Sequence, residues 1–445
     1  MRIYFIYLVL LFSVFWGQQT LRAEETQQKN DSIAQTKAPA DTAKETSINK
    51  YDEIAHQSDI VSLQDLFADQ LKRVVTSAYT VNFSGYGALG LTYTQYHKFA
   101  TTDKTNFLTF NVPYAGLNFS GNLREDPKED FDLKYTLMLY FTGNGISLLD
   151  VNLKWDLFST KRSFDPFWTL STTIGQQQVP FGSDNQASED QRPTISLAQY
   201  LGKYGISRDI GVKIEQGFLN STDNFTGVSI PKIALTLAAY NGAGVNTLDS
   251  LDRRAKDLLA KLVFTPLGDQ YFNTFGQFSF GATGWWRDVD YIDNSLKNPI
   301  SRYGVLLNWL KKPLLVTGEW VHGNNKATTA NTATVQSESY VATIFYTPNA
   351  LPNFQPLVRY DYYDPNTANN TAATKSNATT FITAGFNWFF YQTEPLSRRP
   401  YPVAETNRVI KLQFNYIWKL EQDKNADIVD NIHNNQLLLQ AFFNF

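Results

Sequence analysis

From about residue 80 onward, apolar and polar residues alternate along the chain with a period of two. That is the spacing of strands whose two faces meet different surroundings. Segments 80–96, 105–122, 131–142, 147–159, 168–179, 207–218, 230–240 and 256–265 follow it. So do 274–287, 301–311, 314–322, 338–347, 354–363, 379–391, 408–420 and 434–445. In 150–157, Leu153, Trp155 and Leu157 share one face while Asp150, Asn152, Lys154 and Asp156 share the other. In 408–419, Ile410, Leu412, Phe414, Tyr416 and Trp418 oppose Lys411, Gln413, Asn415 and Lys419. One such strand also suits a soluble sandwich. About 16 of them, an even number, predict an all-β fold: a transmembrane antiparallel β-barrel with lipid outside, water inside and no open edge. Aromatic clusters at strand ends, such as Trp285 with Trp286 and Tyr360 with Tyr362 and Tyr363, suit interfacial girdles.

The segment 434–445 (NNQLLLQAFFNF) carries the pattern to the last residue. Leu437, Leu439, Ala441, Phe443 and Phe445 fall on one face, and Gln436, Gln440 and Asn444 on the other, with Leu438 and Phe442 among them. It resembles the last strand of bacterial outer-membrane proteins, which commonly ends on Phe. The other end predicts export. Arg2, the apolar run 3–16 and a polar exit to Ala23 read as a signal peptide over 1–23. Residues 24–57 are polar, poor in aromatics and read as a flexible spacer. In 58–79, Ile60, Leu63, Leu66, Phe67, Leu71, Val74 and Val75 recur at helical spacing after a Ser62–Asp65 pair like a capping box. One short amphipathic periplasmic helix is expected there, then the barrel over 80–445. The expected location is the outer membrane of a Gram-negative bacterium, crossed many times and in contact with its lipid.

Composition narrows the chemistry. Aromatic residues make up 15% of the chain, with 32 Phe and 24 Tyr, and cysteine is absent. Disulfides and thiolate metal sites are therefore excluded, and the four histidines (His56, His97, His322, His433) lack ligand-like spacing. No catalytic residue, cofactor or metal is expected. A net charge of −3 gives no sign of a nucleic-acid partner. The leading expectation is a passive channel for small hydrophilic solutes. Two alternatives are a plugged barrel acting as anchor or adhesin, and an outer-membrane barrel enzyme with Ser, His and an acid or amide gathered at one rim.

The longest connection, 180–206, follows the fifth strand. In general sixteen-stranded porins that connection folds inward and narrows the pore. Its Asp184, Glu189, Asp190, Arg192 and Lys203 are the expected constriction charges. A loop resting on the outer rim is the alternative. The connection 392–407, with three prolines, is unusually long for the periplasmic side.

Several motifs recur in one order: GQQQVPFG (175–182), SRDIGV (207–212), YNGAGVN (240–246), KDLLAKLVFTP (256–266), PLVRYD (356–361), TAGFNWFFYQ and NRVIKLQFNYIWK. This series resembles the phosphate-selective porin O and P family. The resemblance implies a homotrimeric, sixteen-stranded channel for anions such as phosphate or polyphosphate. With inward alternation it makes Lys213, Arg359 and Lys411 candidate anion contacts, and Arg208 joins them beside the loop. One departure stands out: the expected lumen mixes Lys134, Lys154, Lys213, Arg302, Arg359, Lys411 and Lys419 with Asp132, Asp150, Asp209, Glu215, Glu319 and Asp361. Neutralising pairs along the wall are the simpler role for these charges. Weak to moderate anion preference is expected.

Overall fold

The computed structural model describes residues 81–95, 106–124, 132–142, 145–158, 167–183, 192–204, 207–222, 229–247, 256–267, 275–287, 300–311, 313–326, 334–367, 378–392, 409–421 and 435–444. The expected signal peptide, spacer and amphipathic helix, Phe445 and nearly all of 392–407 lie outside them. The first eight strands are β1 (Asn82–Thr94), β2 (Phe107–Arg124), β3 (Asp132–Thr142), β4 (Gly145–Phe158), β5 (Trp168–Gln178), β6 (Arg208–Thr222), β7 (Ser229–Tyr240) and β8 (Asp257–Leu267). The next are β9 (Gln277–Arg287), β10 (Ile300–Lys311), β11 (Leu314–Lys326), β12 (Thr334–Tyr346), β13 (Phe354–Asp364), β14 (Thr379–Gln392), β15 (Val409–Glu421) and β16 (Gln436–Asn444). One short helix, α1 (Gln199–Tyr204), interrupts the series. Each strand pairs antiparallel with its sequence neighbours, and β1 pairs with β16, so the sheet closes on itself. Closure leaves no unpaired edge, which lipid could not hydrate.

The two faces are those of a barrel in lipid. Phe110 is 79% exposed, Ile146 69% and Phe390 64%, all pointing outward. Asn415, Gln413, Ser337 and Ser339 on the inner face are buried. On β15 the alternation runs as the sequence reads, with Ile410 and Trp418 out and Lys411, Gln413 and Asn415 in. On β2 it changes phase. The outward residues are Phe110 and Val112, then Leu117 and Phe119, because register slips opposite Ala88 and Gly90. Pro113 sits at the slip, where a missing N–H costs the ladder least.

Candidate functional site: a packed loop and a charged wall inside the barrel

The connection after β5 is too apolar to lie in water. Its Val179, Phe181, Ala198, Tyr200, Leu201 and Tyr204 are buried. They pack on inward Ala238, Tyr240, Leu259, Trp285, Val321, Val341 and Tyr363 from β7–β13. The Phe181 ring lies 5.8 Å from Trp285, and Tyr204 lies 6.0 Å from Tyr363. One side of the lumen thus holds a small hydrophobic core, stabilised as any core is, by removal of apolar surface from water. Gly182 makes the turn into this core at φ +80°, where a Cβ would also run into the Tyr200 hydroxyl.

Polar groups of the wall fasten the rest of the loop. Glu319 accepts from Ser183 N at 3.3 Å, Ser183 Oγ at 3.0 Å and Tyr200 Oη at 2.8 Å. Lys261 donates to Gly182 O at 3.2 Å. Gln199 N donates to Asp361 Oδ2 at 3.0 Å, which ties the start of α1 to β13. Ile195 N donates to Asn415 Oδ1 at 2.8 Å. At the other end of α1 the Arg302 guanidinium sits 4.2 Å from the Tyr204 ring centre and 4.6 Å from that of Trp285. It also donates to Tyr204 O at 3.2 Å, so cation–π attraction and a hydrogen bond act together. Tyr204 Oη meets Ser337 Oγ at 2.8 Å, and burial raises this hydroxyl above its usual pKa, keeping it neutral. These contacts run to β8 and β10–β15.

The candidate anion contacts fall in two places. Arg359, 2% exposed, donates to Thr194 Oγ1 at 2.8 Å and Ser196 O at 3.2 Å and lies 3.4 Å from Asp361. Lys411, 1% exposed, donates to Arg192 O at 3.0 Å and stands 5.1 Å above the Phe442 ring. Both act on the loop. Arg208 and Lys213 are on β6: Arg208 Nε lies 3.1 Å from Asp150 and Lys213 Nζ 3.3 Å from Glu215. Of the expected constriction charges, Arg192 is half-buried and Lys203 exposed at the end of α1, while Asp184, Glu189 and Asp190 lie outside the described residues.

Register sets charges on β3–β6 in two rows. Lys134 pairs across to Lys154, Lys154 to Thr173, and Thr173 to Lys213. Two residues along, Asp132 pairs to Asp156, Asp156 to Ser171, and Ser171 to Glu215. A lysine row therefore lies about 7 Å from an acidic row on the same wall. Asp156 joins them, 2.7 Å from Lys134 and 3.6 Å from Lys154. The Lys134 and Lys154 side chains still keep 43% and 41% of their exposure. An ammonium has three donors, so one bond to an acid leaves others for a passing solute. Both lysines are legible as inward positions, but their accessibility depends on where the loop goes. Among the described residues no His, Cys, Asp or Glu group could hold a metal.

A closed sixteen-stranded barrel, apolar outside and polar inside, with a loop folded into its lumen, defines an outer-membrane porin. The solved structures it resembles include OmpT, an outer membrane protein of Vibrio cholerae in trimer form: 12% identity, TM-score 0.50, covering 83% of this chain and 100% of that one. A loop L8 deletion mutant of OmpT has 12% identity and TM-score 0.50, over 82% of this chain and 99% of that one. An anion-selective porin from Comamonas acidovorans has 11% identity and TM-score 0.49, over 82% and 99%. No curated protein matches the chain. The family profile of the phosphate-selective porin O and P matches residues 83–445, and the chain belongs to that family. It is a channel of the Gram-negative outer membrane rather than an enzyme.

Proposed function

We propose that this porin passes small hydrophilic solutes by passive diffusion with a weak to moderate preference for anions, phosphate or polyphosphate among them. The observation that carries this reading is the contrast in exposure among lumen cations. Lys134 and Lys154 stay open to water at 43% and 41%, whereas Arg359 and Lys411 are closed off at 2% and 1%. Anions then travel along the β3–β6 wall, meeting Lys134, Lys154 and Lys213, with Arg208 near the loop. Arg359 and Lys411 serve the anion path indirectly, by fixing the loop that narrows it. The acidic row offsets the field of the lysines and salt screens what remains beyond a Debye length of about 8 Å, so preference depends on direct contact. The assembly we propose, on the family resemblance, is a homotrimer. Reversal potentials across a salt gradient in planar bilayers test the reading. A modest anion preference is expected, while marked cation preference overturns it. Block of chloride current by micromolar phosphate would replace weak preference with a tight phosphate site.

A further inference from the structure

Beside the lysine row the inner wall carries aromatic rings that anion passage does not require. Tyr86 on β1, Tyr114 on β2, Tyr140 on β3 and Phe442 on β16 all face inward, where the sequence pattern asks for polar residues. Their centroids are closely spaced: 5.9 Å for Tyr86–Tyr114, 6.1 Å for Tyr114–Tyr140 and 6.2 Å for Tyr86–Phe442. Tyr114 and Tyr140 are inclined by only 20° and Tyr86 and Phe442 by 27°, while Tyr86 and Tyr114 cross at 66°. The residues between them are small. Gly116 is paired on one side with Tyr86 and on the other with Tyr140, and Ala88 pairs with Tyr114 and Phe442.

Gly116 shows how the rings lie. A Cβ on it would sit 2.5 Å from Tyr86 Cζ and 2.8 Å from Tyr86 Oη. The far end of the Tyr86 ring therefore rests over the neighbouring strand, and the ring lies along the wall. The rings thus form an angled floor suited to the apolar C–H face of another ring. Tyr114 Oη already accepts from Gln440 Nε2 at 2.8 Å, which fixes that ring in place. Tyr86, Tyr114 and Tyr140 are each only half-buried, while Phe442 beneath them is 1% exposed.

We propose that this tyrosine floor is a binding site for a soluble oligosaccharide, stacked ring on ring along the β16–β3 wall. The site needs no net charge on the solute. It adds to the anion reading, resting only on the clause that the lumen is open.

The probe is a neutral, linear glucose trisaccharide, added to the barrel in planar bilayers during single-channel recording. Concentration-dependent block of the ion current is expected, scaled to each variant's own open current. Tyr140→Ala should weaken the block about tenfold, which corresponds to about 1.4 kcal/mol, near the upper end for one aromatic contact. Tyr140→Phe keeps the ring and should keep most of the block. Gly116→Ala, which pushes the Tyr86 ring off the wall, should weaken it as well. A conducting wild-type channel that the trisaccharide does not block overturns the proposal, and so does equal block of wild type and Tyr140→Ala. Absence of any ion current would instead overturn the channel reading itself.

Discussion

At the residue scale burial separates the charges of the lumen into two sets. Arg359 and Asp361 are 3% and 5% exposed as side chains and face each other at 3.4 Å, with the loop carbonyl of Ser196 and the Thr194 hydroxyl beside them. Breaking such a buried pair by removing one partner costs about 3–5 kcal/mol, because the remaining charge loses its compensation. Arg359→Met should thus loosen the loop, giving a larger and noisier single-channel current. A current identical to wild type would show that the loop does not depend on this arginine. Lys134 and Lys154 are half in water and their pairs with Asp156 contribute little to stability. Replacing Lys154 by Gln should leave folding intact and lower anion binding. A unit charge met at 4 Å in water is worth about 1 kcal/mol, or roughly fivefold. The reversal potential of Lys134→Gln/Lys154→Gln should move toward cation preference, and an unmoved potential would remove these lysines from the path.

At the element scale, period two made all sixteen strands legible, because lipid and water impose opposite demands on alternate residues. Strand ends were less legible where those demands stop. The expected strands 314–322 and 338–347 are found as Leu314–Lys326 and Thr334–Tyr346, an extended hairpin in which Gly323 pairs with Ser337 and Asn324 with Gln336. Those residues are polar on both faces and carry no alternation to read. The loop was legible by length and position, and its helix was not, since α1 is six residues long and takes its stability from a wall distant in sequence. The surplus of Phe181, Tyr200, Leu201 and Tyr204 in a nominal loop was the available sign of that core. Phe442 and Tyr140, exceptions to the polar face, gain a reason only when register brings them together. Removal of residues 184–199 should raise conductance in a folded barrel, and unchanged conductance would put the loop outside the path. Gly182→Ala should act in the same direction more weakly, since the added Cβ would strain the left-handed turn and press on the Tyr200 hydroxyl.

At the scale of the whole molecule, the lumen is divided lengthwise. On one side the loop seals a hydrophobic core against β7–β13. On another, β16 and β1–β6 carry a tyrosine floor and two rows of opposite charge, of which Lys134 and Lys154 remain accessible. With 39 basic and 42 acidic residues the chain carries no large bulk charge, in keeping with the selection by contact proposed above. The chain contains no cysteine, so a single introduced thiol reports one position only. The most direct test of this division places cysteine in turn at Lys154, Lys134, Val321 and Val341 and measures the rate at which a charged, water-soluble thiol reagent changes the channel current. Lys154→Cys and Lys134→Cys are expected to react quickly with a clear change in current, and Val321→Cys and Val341→Cys, buried under the loop, slowly. Equal reaction at all four, or faster reaction at Val321 and Val341, would contradict the account.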